Sequence, residues 1–174
     1  GRFGTRQREE FCAEYARTMP PDAFRVVHSE KGVNRRPVNR YDLTLYASLP
    51  TLLKFDAKAD VPGHQDCHSV PSLPGTFVVT GVLTPGECAQ IIGSAEGSPD
   101  GYVPDEPVTN RPPPPGFAPR AANFVWINQE LTDVLFQRTR CFLPAQLGAE
   151  GQHKLAGLNS RLRLYRYSPL AIYR

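Results

Sequence analysis

From Leu158 to Tyr167 the residues alternate. Leu162 and Leu164 fall on one face of an extended segment, and Arg161, Arg163, Tyr165 and Tyr167 on the other. A run with a period of two is stable only where another layer covers its leucine face, so the chain must build a sheet buried on at least one side. Composition supports this. With 174 residues there is room for one domain with a core, or one domain plus an extension. The 18 prolines and 14 glycines interrupt the chain too often for a helical bundle and suit short strands joined by long loops.

Helices are expected in three places. Phe11, Cys12, Tyr15 and Met19 recur at helical spacing in Thr5–Met19, which Pro20-Pro21 ends. Thr84-Pro85-Gly86-Glu87 reads as a capping box with proline at the first helical position, followed by a stripe of Cys88, Ile91 and Ile92. Asn128 reads as the cap of a helix carrying Leu131, Val134, Leu135 and Phe142 until Pro144. Phe24–Val27 is a short strand candidate, and the β-branched run Thr76–Leu83 is expected to be a buried strand. Gly32–Pro37 reads as a basic loop, Ser98–Arg120 as a long loop containing the stiff run Arg111–Gly116, and Gly148–Gly157 as another loop. Tyr41–Phe55 is apolar but divided by Pro50, and its pattern decides nothing. Asp60–Pro74 is the expected linker, which places a boundary between an N-terminal extension (1–70) and a second unit (71–174).

The net charge of +3 is uneven: residues 1–40 carry nine Lys/Arg against five Asp/Glu, which leaves −1 for residues 41–174. No dense basic block with interleaved aromatics accompanies that segment, so a solvated face is the expectation and nucleic acid is disfavoured. Cys12, Cys67, Cys88 and Cys141 form no Cys-x-x-Cys pair, which excludes a zinc ribbon or a thioredoxin motif and suits reduced thiols in a soluble, intracellular protein. No apolar run is long enough to cross a membrane. Nucleophile elbows, phosphate-binding loops and His-Glu-x-x-His helices are absent.

Four pieces in order resemble one known family. They are Leu73–Val79, the helix start Leu83–Cys88, the helix capped by Asn128, and the strand Arg161–Tyr167, which leads through Ser168-Pro169-Leu170 to Tyr173. Residues 71–174 are similar to the N-terminal part of the catalytic domain of prolyl 4-hydroxylase-like oxygenases. The resemblance implies an α+β fold: an incomplete double-stranded β-helix (jelly roll) with flanking helices. It also implies a parent protein that hydroxylates a protein or peptide side chain, proline being the first guess. Fe(II), 2-oxoglutarate and ascorbate would serve that parent, and none would bind this stretch tightly. By the same resemblance Tyr167 lies in the active-site wall near the co-substrate and Tyr173 beside the metal-binding strand, with Tyr165 on the face of Tyr167. No catalytic residue or metal ligand falls within the chain, because the family's His-x-Asp follows the second tyrosine and the chain stops at Arg174.

Two features depart from the pattern. Leu170 stands where the family usually has glycine, whose positive φ a leucine adopts only at a cost. His64-Gln65-Asp66, with Cys67-His68, is a complete His-x-Asp, but it lies upstream in an expected loop, which would not hold its side chains to one face. His28 and His153 are expected at the surface. With Gly1 at the start and an unfinished element at the end, a piece of a longer protein is expected, inactive by itself and prone to association through an open strand edge. A second reading is a non-catalytic module that binds protein or nucleic acid through the basic N-terminal segment and the proline-rich loop.

Overall fold

The computed structural model describes residues 5–56, 65–108, 114–117, 122–147 and 151–171, and gives the backbone alone for residues 5–9, 11 and 147. In chain order the elements are α1 (Thr5–Thr18), β1 (Phe24–Glu30), β2 (Leu43–Ser48), β3 (Asp66–Ser69), β4 (Phe77–Thr80), α2 (Pro85–Glu96), β5 (Val103–Pro104), β6 (Ala122–Ile127), α3 (Gln129–Thr139), β7 (Gln146–Leu147), β8 (His153–Lys154) and β9 (Arg161–Arg166). No helix among the described residues is long and apolar enough to cross a membrane.

The fold is mixed α+β, built on a curled five-stranded sheet. β6 is its axis. One edge of β6 pairs antiparallel with the whole of β9, from Ala122↔Arg166 to Ile127↔Arg161. Its other edge is shared, with β2 running parallel beside Val125–Ile127 and β5 antiparallel beside Ala122–Asn123. β1 closes the far side through β2, with a register shift between Val26 and His28. The sheet thus takes strands from both sides of position 70. Six residues, Ala-Asn-Phe-Val-Trp-Ile, supply both faces of β6: Phe124 and Trp126 point to the helices, Asn123 and Val125 to the opposite side, and all four are buried.

The main core lies between the sheet and the helices. Phe24, Tyr46, Phe124 and Trp126 form an aromatic floor with ring centroids 5.4–6.1 Å apart, within the range where edge and offset contacts are favourable. Ile91 and Ala95 from α2, Leu131 and Leu135 from α3, and Leu162 and Leu164 from β9 cover it. The leucine face read from the sequence is therefore the face that meets the core. The Tyr46 hydroxyl donates to the Asp100 carboxylate, and burial, joined by that bond and charge, raises its pKa far above the ordinary 10. α1 packs on α2 at Gly93, where an added Cβ would lie 3.0 Å from the Cys12 carbonyl oxygen and 3.2 Å from the Tyr15 ring.

Both expected caps are present. Thr84 Oγ1 accepts from the Glu87 amide at 3.2 Å while Glu87 accepts from the Thr84 amide at 2.8 Å, and Asn128 Oδ1 accepts from the Leu131 amide at 2.7 Å. Four expectations need correcting, the first being the loop Gly148–Gly157, within which His153–Lys154 pairs with Gln146–Leu147 as a short hairpin. The run Thr76–Leu83 is not a buried strand: β4 stops at Thr80 because Gly81 turns the chain at φ +72°, and Val78 is exposed. The segment Asp60–Pro74 is not all linker, since Asp66–Ser69 pairs with Phe77–Thr80 as a hairpin outside the main sheet. Within Ser98–Arg120, Val103-Pro104 joins the sheet as β5.

One buried ion pair locks the helices together. Arg138 on α3 donates from Nη1 to Glu87 Oε2 (2.9 Å) and the Val82 carbonyl (3.0 Å), and from Nη2 to Glu87 Oε1 (3.0 Å) and the Asp56 carbonyl (3.0 Å). Glu87 also accepts from the Asp56 amide at 2.6 Å. Burial by itself pushes the Glu87 carboxyl up, but the bonds from Arg138, Thr84 and Asp56 and the Arg138 charge outweigh it and hold the carboxyl below its ordinary 4.5.

Candidate functional site: a tyrosine-lined groove at the end of β9

β9 delivers its side chains to two environments by alternation. Leu162 and Leu164 enter the core, whereas Arg161, Arg163 and Tyr165 lie opposite Ile127, Val125 and Asn123 on the face away from the helices. Beyond Arg166 the strand ends, and Ser168-Pro169-Leu170-Ala171 closes a turn in which the Ala171 amide donates to the Ser168 carbonyl at 3.0 Å. Proline fixes φ near −65° at the second position, and Leu170 at the third has φ +67°. That combination is a type II turn, which calls for glycine at the third position.

Leu170 is the one non-glycine residue with positive φ among the described residues, and its side chain is 69% exposed. The left-handed conformation costs a side-chain-bearing residue about 1–2 kcal/mol, and little packing offsets it. Leu170→Gly is therefore expected to stabilise the protein by about 1 kcal/mol, the relieved strain being partly returned as chain entropy in the unfolded state. Equilibrium denaturation checks this. A loss of stability would show that Leu170 earns its position by contacts.

Beside the turn lies a groove of about 320 Å³, lined by Cys12, Ile92, Glu96, Tyr102, Tyr165, Arg166 and Tyr167. Its groups are held in place. The Arg166 guanidinium sits 5.3 Å from the Tyr102 ring centroid and 3.6 Å from Glu96 Oε1, so one cation is shared between a ring face and a carboxylate. The Tyr165 and Tyr167 rings are 6.2 Å apart and tilted by 40°. Burial raises the Tyr102 phenol pKa above 10, with Glu96 adding to the rise and Arg166 opposing it, so Tyr102 is a neutral hydroxyl at physiological pH. The groove can accept a flat or ring-like group and offer it phenol hydroxyls at the rim.

Of the residues singled out in the sequence, Tyr165 (half-buried) and Tyr167 (42% exposed) meet in this groove. Tyr173 and His64 lie outside the described residues. Asp66 and His68 share a face of β3, not a loop as expected, and both are exposed. Tyr102, Glu96 and Arg166 were not anticipated: Tyr102 stands in a loop without periodicity and Glu96 at the end of a helix whose signals lie at its start. Among the described residues no three His, Cys, Asp or Glu side chains are grouped to hold a metal ion. The groove's own donors, phenols with one ion-paired carboxylate and a guanidinium, do not fit an Fe(II) centre.

Comparison with protein-family models, curated proteins and solved structures finds no match to this chain.

Proposed function

We propose that residues 71–174 are the N-terminal part of a prolyl 4-hydroxylase-like oxygenase domain whose complete form is a double-stranded β-helix. Its parent protein hydroxylates a protein or peptide side chain, with proline the first candidate, using Fe(II), O₂ and 2-oxoglutarate. One observation carries this reading. A tyrosine-bearing strand runs into a type II turn whose third residue has φ +67°, the conformation that glycine supplies at this place in the family's pattern. Leucine in the place of glycine thus keeps the turn that the pattern requires.

The curled sheet gives further support. Leu131 and Leu135 of α3 and Ile91 and Ala95 of α2 pack on one face, and β9 turns Tyr165 to the other, where a barrel interior would form as later strands close the sheet. β9 pairs with β6 and, among the described residues, with no strand on its outer edge. The described residues supply no ligand set for iron, so no chemical step is assigned to them. Their share is to shape one wall and to offer the Tyr165 and Tyr167 hydroxyls to a polar co-substrate or substrate.

Succinate release with added Fe(II) and 2-oxoglutarate tests the proposal. The 174-residue polypeptide is expected to show none above background, whereas a longer product of the same reading frame turns over. Replacing Tyr167 by Phe in that longer product should lower turnover several-fold, as loss of one hydrogen bond to a co-substrate does. Robust iron-dependent succinate from the 174-residue polypeptide would contradict the assignment, as would its absence from the longer protein.

A further inference from the structure

The face of β9 turned away from the helices carries two arginines that do not line the groove, in a row with the two tyrosines that do. Arg161 and Arg163 are both exposed, and strand geometry sets their Cβ atoms about 6.5–7 Å apart. Tyr165 and Tyr167 extend the row. Arg163 Nη1 donates to the Tyr165 hydroxyl at 3.1 Å, which fixes the guanidinium along the strand. Neither arginine has a carboxylate partner among the described residues; Arg17, Arg25, Arg36 and Arg140 share that state, whereas Arg35, Arg40, Arg138 and Arg166 are paired.

The register adds one more arginine to this side of the sheet. Arg25, Ala47, Ile127 and Arg161 form one row across β1, β2, β6 and β9, and His28, Leu45, Val125 and Arg163 the next. Arg25 and His28 are exposed as well. The one carboxylate that the register places on this face of β1 is Glu30, opposite Leu43 at the other end. Among the described residues, two arginines without a carboxylate partner thus stand on a strand paired along one edge, with a tyrosine pair beside them and Arg25 at the far margin of the same face.

We propose that this face of β9 docks an extended acidic peptide, with carboxylates two residues apart meeting Arg161 and Arg163 and an aromatic or proline side chain following onto Tyr165 and Tyr167. The spacing carries the assignment. Same-face side chains of an extended peptide repeat at the interval of the strand itself, so carboxylates at alternate positions match both guanidiniums at once. A single small anion would need the two guanidiniums converged on one point. A nucleic-acid strand would need a longer track of cations than two. The inference uses the tyrosine pair that the oxygenase proposal also uses, but its test reads binding without iron or 2-oxoglutarate, so the two can fail separately.

The test is fluorescence anisotropy of a labelled Glu-Thr-Glu-Thr-Trp-Thr peptide titrated with the 174-residue chain at low ionic strength. Binding is expected to weaken at least tenfold when both glutamates of the peptide become glutamine. Arg161→Ala and Arg163→Ala should each weaken it about fivefold, and Arg163→Lys should restore part of the loss. Arg140→Ala, which removes an exposed arginine on the last turn after α3, should change it by less than twofold. All three positions are exposed, so these four variants are expected to fold. Equal binding of the glutamine peptide, or an equal loss in Arg140→Ala, would overturn the proposal. So would tighter binding of labelled oligothymidine, or displacement of the peptide by stoichiometric 2-oxoglutarate, which would make the arginines a small-dicarboxylate site. A failure here leaves succinate formation by the longer protein untouched, and the reverse also holds.

Discussion

Glu87→Ala is expected to destabilise the protein by about 3–5 kcal/mol, because it leaves the Arg138 guanidinium buried without its anion. The carboxylate is the common acceptor for Arg138, the Thr84 amide and the Asp56 amide. Its removal therefore unties the start of α2, the segment before residue 57 and α3 in one step. In a chain of this length such a loss lowers Tm by about 10 °C or more. Trp126 is the single tryptophan and fully buried, so its fluorescence reports the transition directly. Joint replacement, Glu87→Leu with Arg138→Met, should cost less than the sum of the single changes by about 2 kcal/mol or more, since no uncompensated charge remains.

The pH dependence follows from the direction of the shift. The folded carboxyl titrates below its ordinary 4.5, so around and below that pH the unfolded chain binds the proton more readily. The contribution of Glu87 is complete above about pH 4.5 and drains away as pH falls through the lower folded value. Between pH 7 and pH 3 the Tm advantage of the natural chain over Glu87→Gln should shrink. An advantage that stayed constant, or grew, would show that the carboxylate is not held ionised by Arg138.

The second large effect is expected at Trp126→Ala, about 3–5 kcal/mol for the cavity left by a large side chain. Trp126 is 0% exposed at the middle of β6, between Phe24 at 5.7 Å and Phe124 at 6.1 Å. Because β6 pairs with β2, β5 and β9, its loosening reaches every strand that bears the groove. Trp126→Phe should cost much less, below about 2 kcal/mol. The indole N–H meets no acceptor among the described residues, and its removal takes away an unsatisfied donor along with some volume. Chemical denaturation of both variants, followed by far-UV circular dichroism, separates the outcomes. Equal costs would mean that the indole N–H makes a contribution the geometry does not give it.

What the sequence reveals here is local chemistry. Thr84 with Glu87, Asn128 with Leu131, and the leucine face of β9 were all legible, because each signal spans four to ten neighbouring residues and has one physical cause. The axis of the sheet was not. Ala122–Ile127 is buried on both faces, so it shows no alternation, and six residues are too few to mark a strand by length. β3 was hidden by the surrounding glycine and proline, and its pairing with β4 depends on a hairpin partner eight or more residues away. Arg138 is 51 positions from Glu87, and no local pattern joins them. The same holds for the groove, where Tyr165 and Tyr167 were recognisable in their strand, while Tyr102 and Glu96 reach it only through tertiary packing. The positive φ at Leu170 is the exception: a departure from a sequence pattern that correctly located backbone strain.

The central claim, that β9 and its turn lead into an oxygenase metal site, is tested most directly by reading the coding sequence beyond Arg174. The account predicts His-x-Asp within the next few codons, followed downstream by a second histidine and a lysine or arginine. A stop codon at that point, or a continuation without His-x-Asp, would contradict it.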